Sequence, residues 1–94
     1  MEIKNVGVLG CGIMGSGIAQ ICAQAGYHVV VSEINDELLT KGMASIGSFL
    51  SKGIERGKIT EKDKQAIIAR IEGATDLDNF AKCDLVIEAA AGSL

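Results

Sequence analysis

One stretch, Gly10-Cys11-Gly12-Ile13-Met14-Gly15, constrains what this 94-residue chain can fold into more than any other. Three glycines in a GxGxxG spacing say little in a chain that contains twelve, so their meaning comes from what flanks them. Before them, Val6-Gly7-Val8-Leu9 has the length and β-branched content of a buried strand. After them, Ile18, Ile21, Cys22 and Ala25 recur at offsets of three, four and seven, which is one face of a helix. The glycines therefore occupy a strand-to-helix turn. In that setting Gly10 allows the tight turn, Gly12 lets the backbone approach a pyrophosphate, and Gly15 lets the helix pack close against the strand. The helix then offers its first N–H groups and the positive end of its dipole to the anion. Gly10, Cys11, Gly12, Ile13, Met14 and Gly15 are accordingly the candidate cofactor contacts.

A second strand completes the unit. Gly26 is a helix stop, His28-Val29-Val30-Val31-Ser32 reads as extended, and the run ends at Glu33, eighteen positions after Gly15. A dinucleotide-binding βαβ unit places at about this distance the carboxylate that accepts hydrogen bonds from the adenosine ribose. A carboxylate there repels a 2′-phosphate, and no arginine follows closely to offset it, so the expected cofactor is NAD rather than NADP.

The rest of the chain alternates in the same way. Asn35-Asp36-Glu37 is a cap followed by acids in a first helical turn. Leu39, Met43, Ile46 and Leu50 form the buried stripe of a helix reaching about Gly57. Gly42, Gly47 and Gly53 weaken that helix by up to about 1 kcal/mol each relative to alanine, so it must rely on packing. Thr60 and Asp63 match a capping box, opening a helix that carries Ile67, Ile68 and Ile71. A short strand is expected at Glu72-Gly73-Ala74-Thr75, then a helical turn capped by Asp76, then a buried strand at Asp84-Leu85-Val86-Ile87-Glu88-Ala89.

Four strands joined by helical crossovers predict an α/β fold, a Rossmann-type parallel sheet in the order 3-2-1-4 that stops after strand 4. A ligand belongs where the strand order reverses, so Ala89 and Ala90 are expected to line the same crevice as the glycine turn. His28 starts strand two, five residues from Glu33; at about 3.3 Å per residue it is roughly 16 Å from the ligand end. No catalytic residue is assigned.

Composition narrows the alternatives. A net charge of −3 with scattered basic residues gives no footprint for nucleic acid. No apolar run approaches the roughly 20 residues that span a bilayer. Met1-Glu2-Ile3-Lys4-Asn5 runs into the first strand without a signal-peptide pattern, so the expected compartment is the cytoplasm. Cys11, Cys22 and Cys83 match no zinc or redox spacing, and no metal site is expected.

From about Ile3 to Ala90 the chain resembles the L-3-hydroxyacyl-CoA dehydrogenases, and among them the bacterial 3-hydroxybutyryl-CoA enzymes. The resemblance rests on residues 8–20 with Met14-Gly15 and Gly17-Ile18-Ala19-Gln20, on residues 26–33, on Gly57-Lys58-Ile59-Thr60, and on Asp84-Leu85-Val86-Ile87-Glu88-Ala89. It implies NAD-dependent oxidation of the 3-hydroxyl of an acyl-CoA, or the reverse, in fatty acid metabolism. It further implies that residues 1–94 are the NAD-binding part of a homo-oligomeric enzyme whose helical substrate and dimerisation domain, with its histidine–glutamate base, lies elsewhere. The family usually has aspartate where Glu33 stands; glutamate keeps the charge and adds a methylene. A serine that touches CoA in relatives aligns with Phe49, which leaves Ser48, Lys52 and Arg56 as solvated helix residues rather than CoA contacts.

Two other readings fit parts of the sequence. An FAD-binding βαβ unit carries the same glycines and often a glutamate at the end of strand two; against it, Glu33 passes directly into a capped helix. A stand-alone dinucleotide-binding module without catalysis is the other, because the chain holds one histidine and it is poorly placed.

Overall fold

A computed structural model describes residues 3–89. Four strands, β1 (Asn5–Leu9), β2 (His28–Ser32), β3 (Ile71–Ala74) and β4 (Leu85–Glu88), form one parallel sheet in the expected order β3-β2-β1-β4. Helices α1 (Ile13–Gln24), α2 (Asp36–Glu55) and α3 (Glu61–Ala69) connect them, and a 3₁₀ turn (Asp78–Lys82) leads into β4.

β1 and β2 are the inner strands, which is why their sequences are nearly continuous apolar runs. Val6, Val8, Val29 and Val31 are at most 2% exposed and pack with Ala19, Ala23, Ile46, Leu50 and Ile67 of the helices. Each of the large aliphatic side chains buried there contributes about 1.5–3 kcal/mol. Alternation turns Gly7 to the other face of β1, where a Cβ would lie 3.1 Å from Cys83 Sγ and 3.2 Å from the Phe80 ring. Its bare backbone lets the 3₁₀ turn lie on the sheet.

The helix boundaries follow their signals. Asn35 caps α2 by accepting the Leu38 N–H at 2.9 Å. Thr60 and Asp63 form the capping box at 3.1 and 3.0 Å. α2 ends two residues before Gly57, whose φ of 72° turns the chain left-handed while the Lys58 N–H reaches back to the Gly53 carbonyl at 2.9 Å. Of the three glycines in α2, Gly42 is pressed against Cys11 and Gly53 lies close to Ile59; nothing in the structure explains Gly47.

Three local expectations are corrected. Ile71 belongs to β3, paired with Val29, rather than to α3, which Arg70 terminates; an isoleucine at that place satisfies either period. Asp76 does not cap the helical turn: its carboxylate accepts the Asp78 N–H at 3.1 Å, and the 3₁₀ turn starts at Asp78 without a side-chain cap. β4 is exposed rather than buried, with Leu85 and Val86 at 44% and 47%. Its only strand neighbour among the described residues is β1.

Candidate functional site

The site is built around the turn between β1 and α1. Gly10 has a φ of 102°, and its N–H donates to the Ser32 carbonyl at 2.8 Å, fastening the turn to the end of β2. A Cβ on Gly15 would run into the carbonyl oxygen of Gly10. α1 therefore approaches its own entry turn so closely that position 15 admits no side chain. Gly12 is the helix N-cap, no side chain caps α1, and its first turn holds no acid. A Cβ on Gly12 would meet nothing within 4 Å. The crowding at Gly15 is the close packing of helix on turn expected of that position. Ile13 opens the helix, and the Met14 side chain beside it is 66% exposed.

Glu33 follows β2 and is half-buried. One carboxylate oxygen accepts the Cys11 N–H at 2.9 Å and the other accepts the Ile34 N–H at 2.9 Å. The carboxylate thus spans the β1–α1 and β2–α2 turns. Ala89 is buried, and its N–H donates to the Leu9 carbonyl at 2.8 Å, which sets it beside the start of the glycine turn. Ala90 lies outside the described residues.

Cys11 anchors the underside of the turn. Its thiol lies 3.7 Å from the Ser16 hydroxyl, which donates to the Cys11 carbonyl at 3.1 Å, with the Gly42 carbonyl at 3.4 Å as the alternative acceptor. A Cβ on Gly42 would collide with Cys11, so the bare backbone of α2 rests on this residue. Burial pushes the Cys11 thiol up and the Glu33 charge adds to it, outweighing the hydrogen bond between the thiol and Ser16. The thiol stays protonated and serves packing.

Two clefts meet at Glu33. Leu9, Gly10, Ser32, Glu33, Ile34, Thr75 and Leu77 line the first, of about 260 Å³. The second, of about 200 Å³, lies between the turn and α2, where Leu38, Lys41, Gly42 and Ser45 face Cys11, Gly12 and Glu33. Ile34, Thr75 and Leu77 escaped the sequence reading. One signal was available: Ile34 is an apolar residue outside any helical or strand period, and it and Leu77 are exposed, at 82% and 59%. A wider hollow of about 750 Å³ sits at the opposite end of the sheet, bounded by Lys4, Asn5, Tyr27 and His28. His28 pairs with Asn5 at the start of the strands, away from Glu33, as its sequence position required.

Residues 5–94 match the family described as "3-hydroxyacyl-CoA dehydrogenase, NAD binding domain". The chain belongs to that family. This fixes the cofactor class as NAD and sets the flavin alternative aside. The chain is 44% identical over 88 residues to the 3-hydroxybutyryl-CoA dehydrogenase of Bradyrhizobium diazoefficiens, a match covering 94% of this chain and 30% of that protein. Over its whole length it is 39% identical to the probable 3-hydroxybutyryl-CoA dehydrogenase of Bacillus subtilis, of which it covers 33%. The solved (S)-3-hydroxybutyryl-CoA dehydrogenase of Ralstonia eutropha superimposes with a TM-score of 0.95 at 44% identity, across 99% of this chain and 33% of that one. The dehydrogenase-family chain thus spans about a third of the length of these relatives.

Proposed function

We propose that residues 1–94 form the NAD-binding domain of a 3-hydroxyacyl-CoA dehydrogenase acting on 3-hydroxybutyryl-CoA or a similar acyl-CoA. Gly10, Cys11, Gly12, Ile13, Met14 and Gly15 receive the pyrophosphate at the start of α1. Glu33 receives the adenosine ribose, and Ile34, Thr75 and Leu77 give the adenine an apolar cleft. Ala89 borders the nicotinamide side. When bound, NAD supplies the hydride acceptor for oxidation of the 3-hydroxyl. This chain's residues bind and orient it; the chain supplies no general base, since its one histidine lies at the other end of the sheet. The whole enzyme works in fatty acid metabolism as a homo-oligomer in the cytoplasm.

The observation that carries this reading is the open space in front of Gly12 at an uncapped helix start. A side chain there obstructs the ligand without touching the core. Gly12→Val is expected to keep a near-native circular dichroism spectrum and to lose the calorimetric signal of NAD binding. NAD affinity equal to that of the unaltered chain would overturn the assignment.

A further inference from the structure

The second cleft at Glu33 also contains a cation, Lys41. Leu38, Lys41, Gly42 and Ser45 are spaced three, four and seven apart, so they form one face of α2. Gly42 fixes where that face lies, because its backbone is pressed against Cys11 too tightly to admit a Cβ. Lys41 and Ser45 therefore flank the glycine turn in the same 200 Å³ cleft as Gly12 and Glu33. The Glu33 carboxylate answers two main-chain N–H groups, of Cys11 and Ile34. Those bonds hold its charge in the lining of the cleft.

We infer that this cleft is a latent seat for the 2′-phosphate of an NADP-type dinucleotide, with Lys41 as its cation and Ser45 as a hydroxyl donor, kept shut by the single charge of Glu33. The inference rests on the placement of the adenosine ribose at Glu33. A phosphate monoester carries close to two negative charges near neutral pH, and a lysine ammonium is a compact partner for it. The carboxylate repels the same group. Sequence spacing hid the cation, since Lys41 stands eight residues beyond Glu33 and only the helix returns it to the site. NAD carries no 2′-phosphate and gains nothing from Lys41.

The test is calorimetric titration of NAD and NADP into three forms of the chain: unaltered, Glu33→Gln, and Glu33→Gln with Lys41→Met. The amide retains an acceptor for the Cys11 N–H while removing the charge. The unaltered chain should bind NAD in preference to NADP. Glu33→Gln should bind NADP at least tenfold more tightly than the unaltered chain does. Adding Lys41→Met should reverse most of that gain while changing NAD affinity by less than twofold. NADP affinity that ignores Lys41, or a Lys41→Met effect equal for both dinucleotides, would overturn the inference and leave the NAD site standing. No NAD binding by the unaltered chain would overturn both.

Discussion

Glu33 and Cys11 are joined across the site: the carboxylate at the end of β2 accepts the main-chain N–H of the residue between the first two glycines at 2.9 Å. The side chain assigned to the ribose therefore also holds the turn assigned to the pyrophosphate. The methylene by which glutamate exceeds aspartate extends its reach toward that turn. Hydrogen bonds to charged groups contribute about 1.5–3 kcal/mol, so Glu33→Ala should weaken NAD binding by about tenfold or more. Calorimetric titration measures it, and an unchanged affinity would remove Glu33 from the site.

The crowding at position 15 has a thermodynamic signature. A methyl group on Gly15 meets the Gly10 carbonyl, and relieving such an overlap costs about 1–3 kcal/mol. Gly17, two residues on in the same helix, has nothing within 4 Å of its would-be Cβ, so alanine there should add about 0.5–1 kcal/mol of stability. Thermal melts should place Gly15→Ala below the unaltered chain by roughly 4 °C or more and Gly17→Ala above it. The reverse order would contradict the close approach of helix to turn.

Asp84 ties the start of β4 to β1, accepting the Lys4 and Asn5 N–H groups on one oxygen at 2.9 Å each. Those two main-chain donors hold its carboxyl below the ordinary carboxylate value. A group whose pKa is depressed by folding stabilises the fold above its unfolded value, about 3.9, and loses that contribution as pH falls through the lower folded value. Asp84→Ala should therefore melt below the unaltered chain at about pH 6, and the gap should narrow as the pH is taken below about 3. A gap independent of pH would show that the carboxylate charge is not what ties the strands.

The chain by itself should not oxidise NADH in the presence of acetoacetyl-CoA. A general base must stand within hydrogen-bond reach of the proton it moves, and His28 lies at the end of β2 remote from Glu33. Turnover that follows the purified chain and disappears in His28→Ala would contradict this placement.

The two capping motifs and the glycine turn were legible because each is written in residues close together in sequence, and the sheet order because right-handed crossovers leave few alternatives. Thr60 and Asp63 identify their helix end within four residues, and Val29-Val30-Val31 can hardly be anything but an inner strand. What stayed hidden depends on residues distant in the chain. Gly42 looked like a weakness of α2 until its contact with Cys11, thirty-one positions earlier, was seen. Ser32 gave no hint that its hydroxyl would donate to the Asp76 carbonyl at 3.1 Å and so draw the Thr75–Leu77 wall of the first cleft toward β2. The exposure of β4 was invisible for a similar reason: an apolar run reports what a strand can bury, not whether a neighbour covers it.

The central claim is that NAD lies across the glycine turn and Glu33, and the direct measurement is residue-by-residue backbone amide chemical shifts during an NAD titration. The largest shifts are expected at Gly10, Cys11, Gly12, Gly15 and Glu33, with Ile34 and Leu77 moving at the adenine cleft and Tyr27 and His28 unmoved. Shifts that instead gather at Lys4, Asn5, Tyr27 and His28, around the hollow at the opposite end of the sheet, would contradict the account.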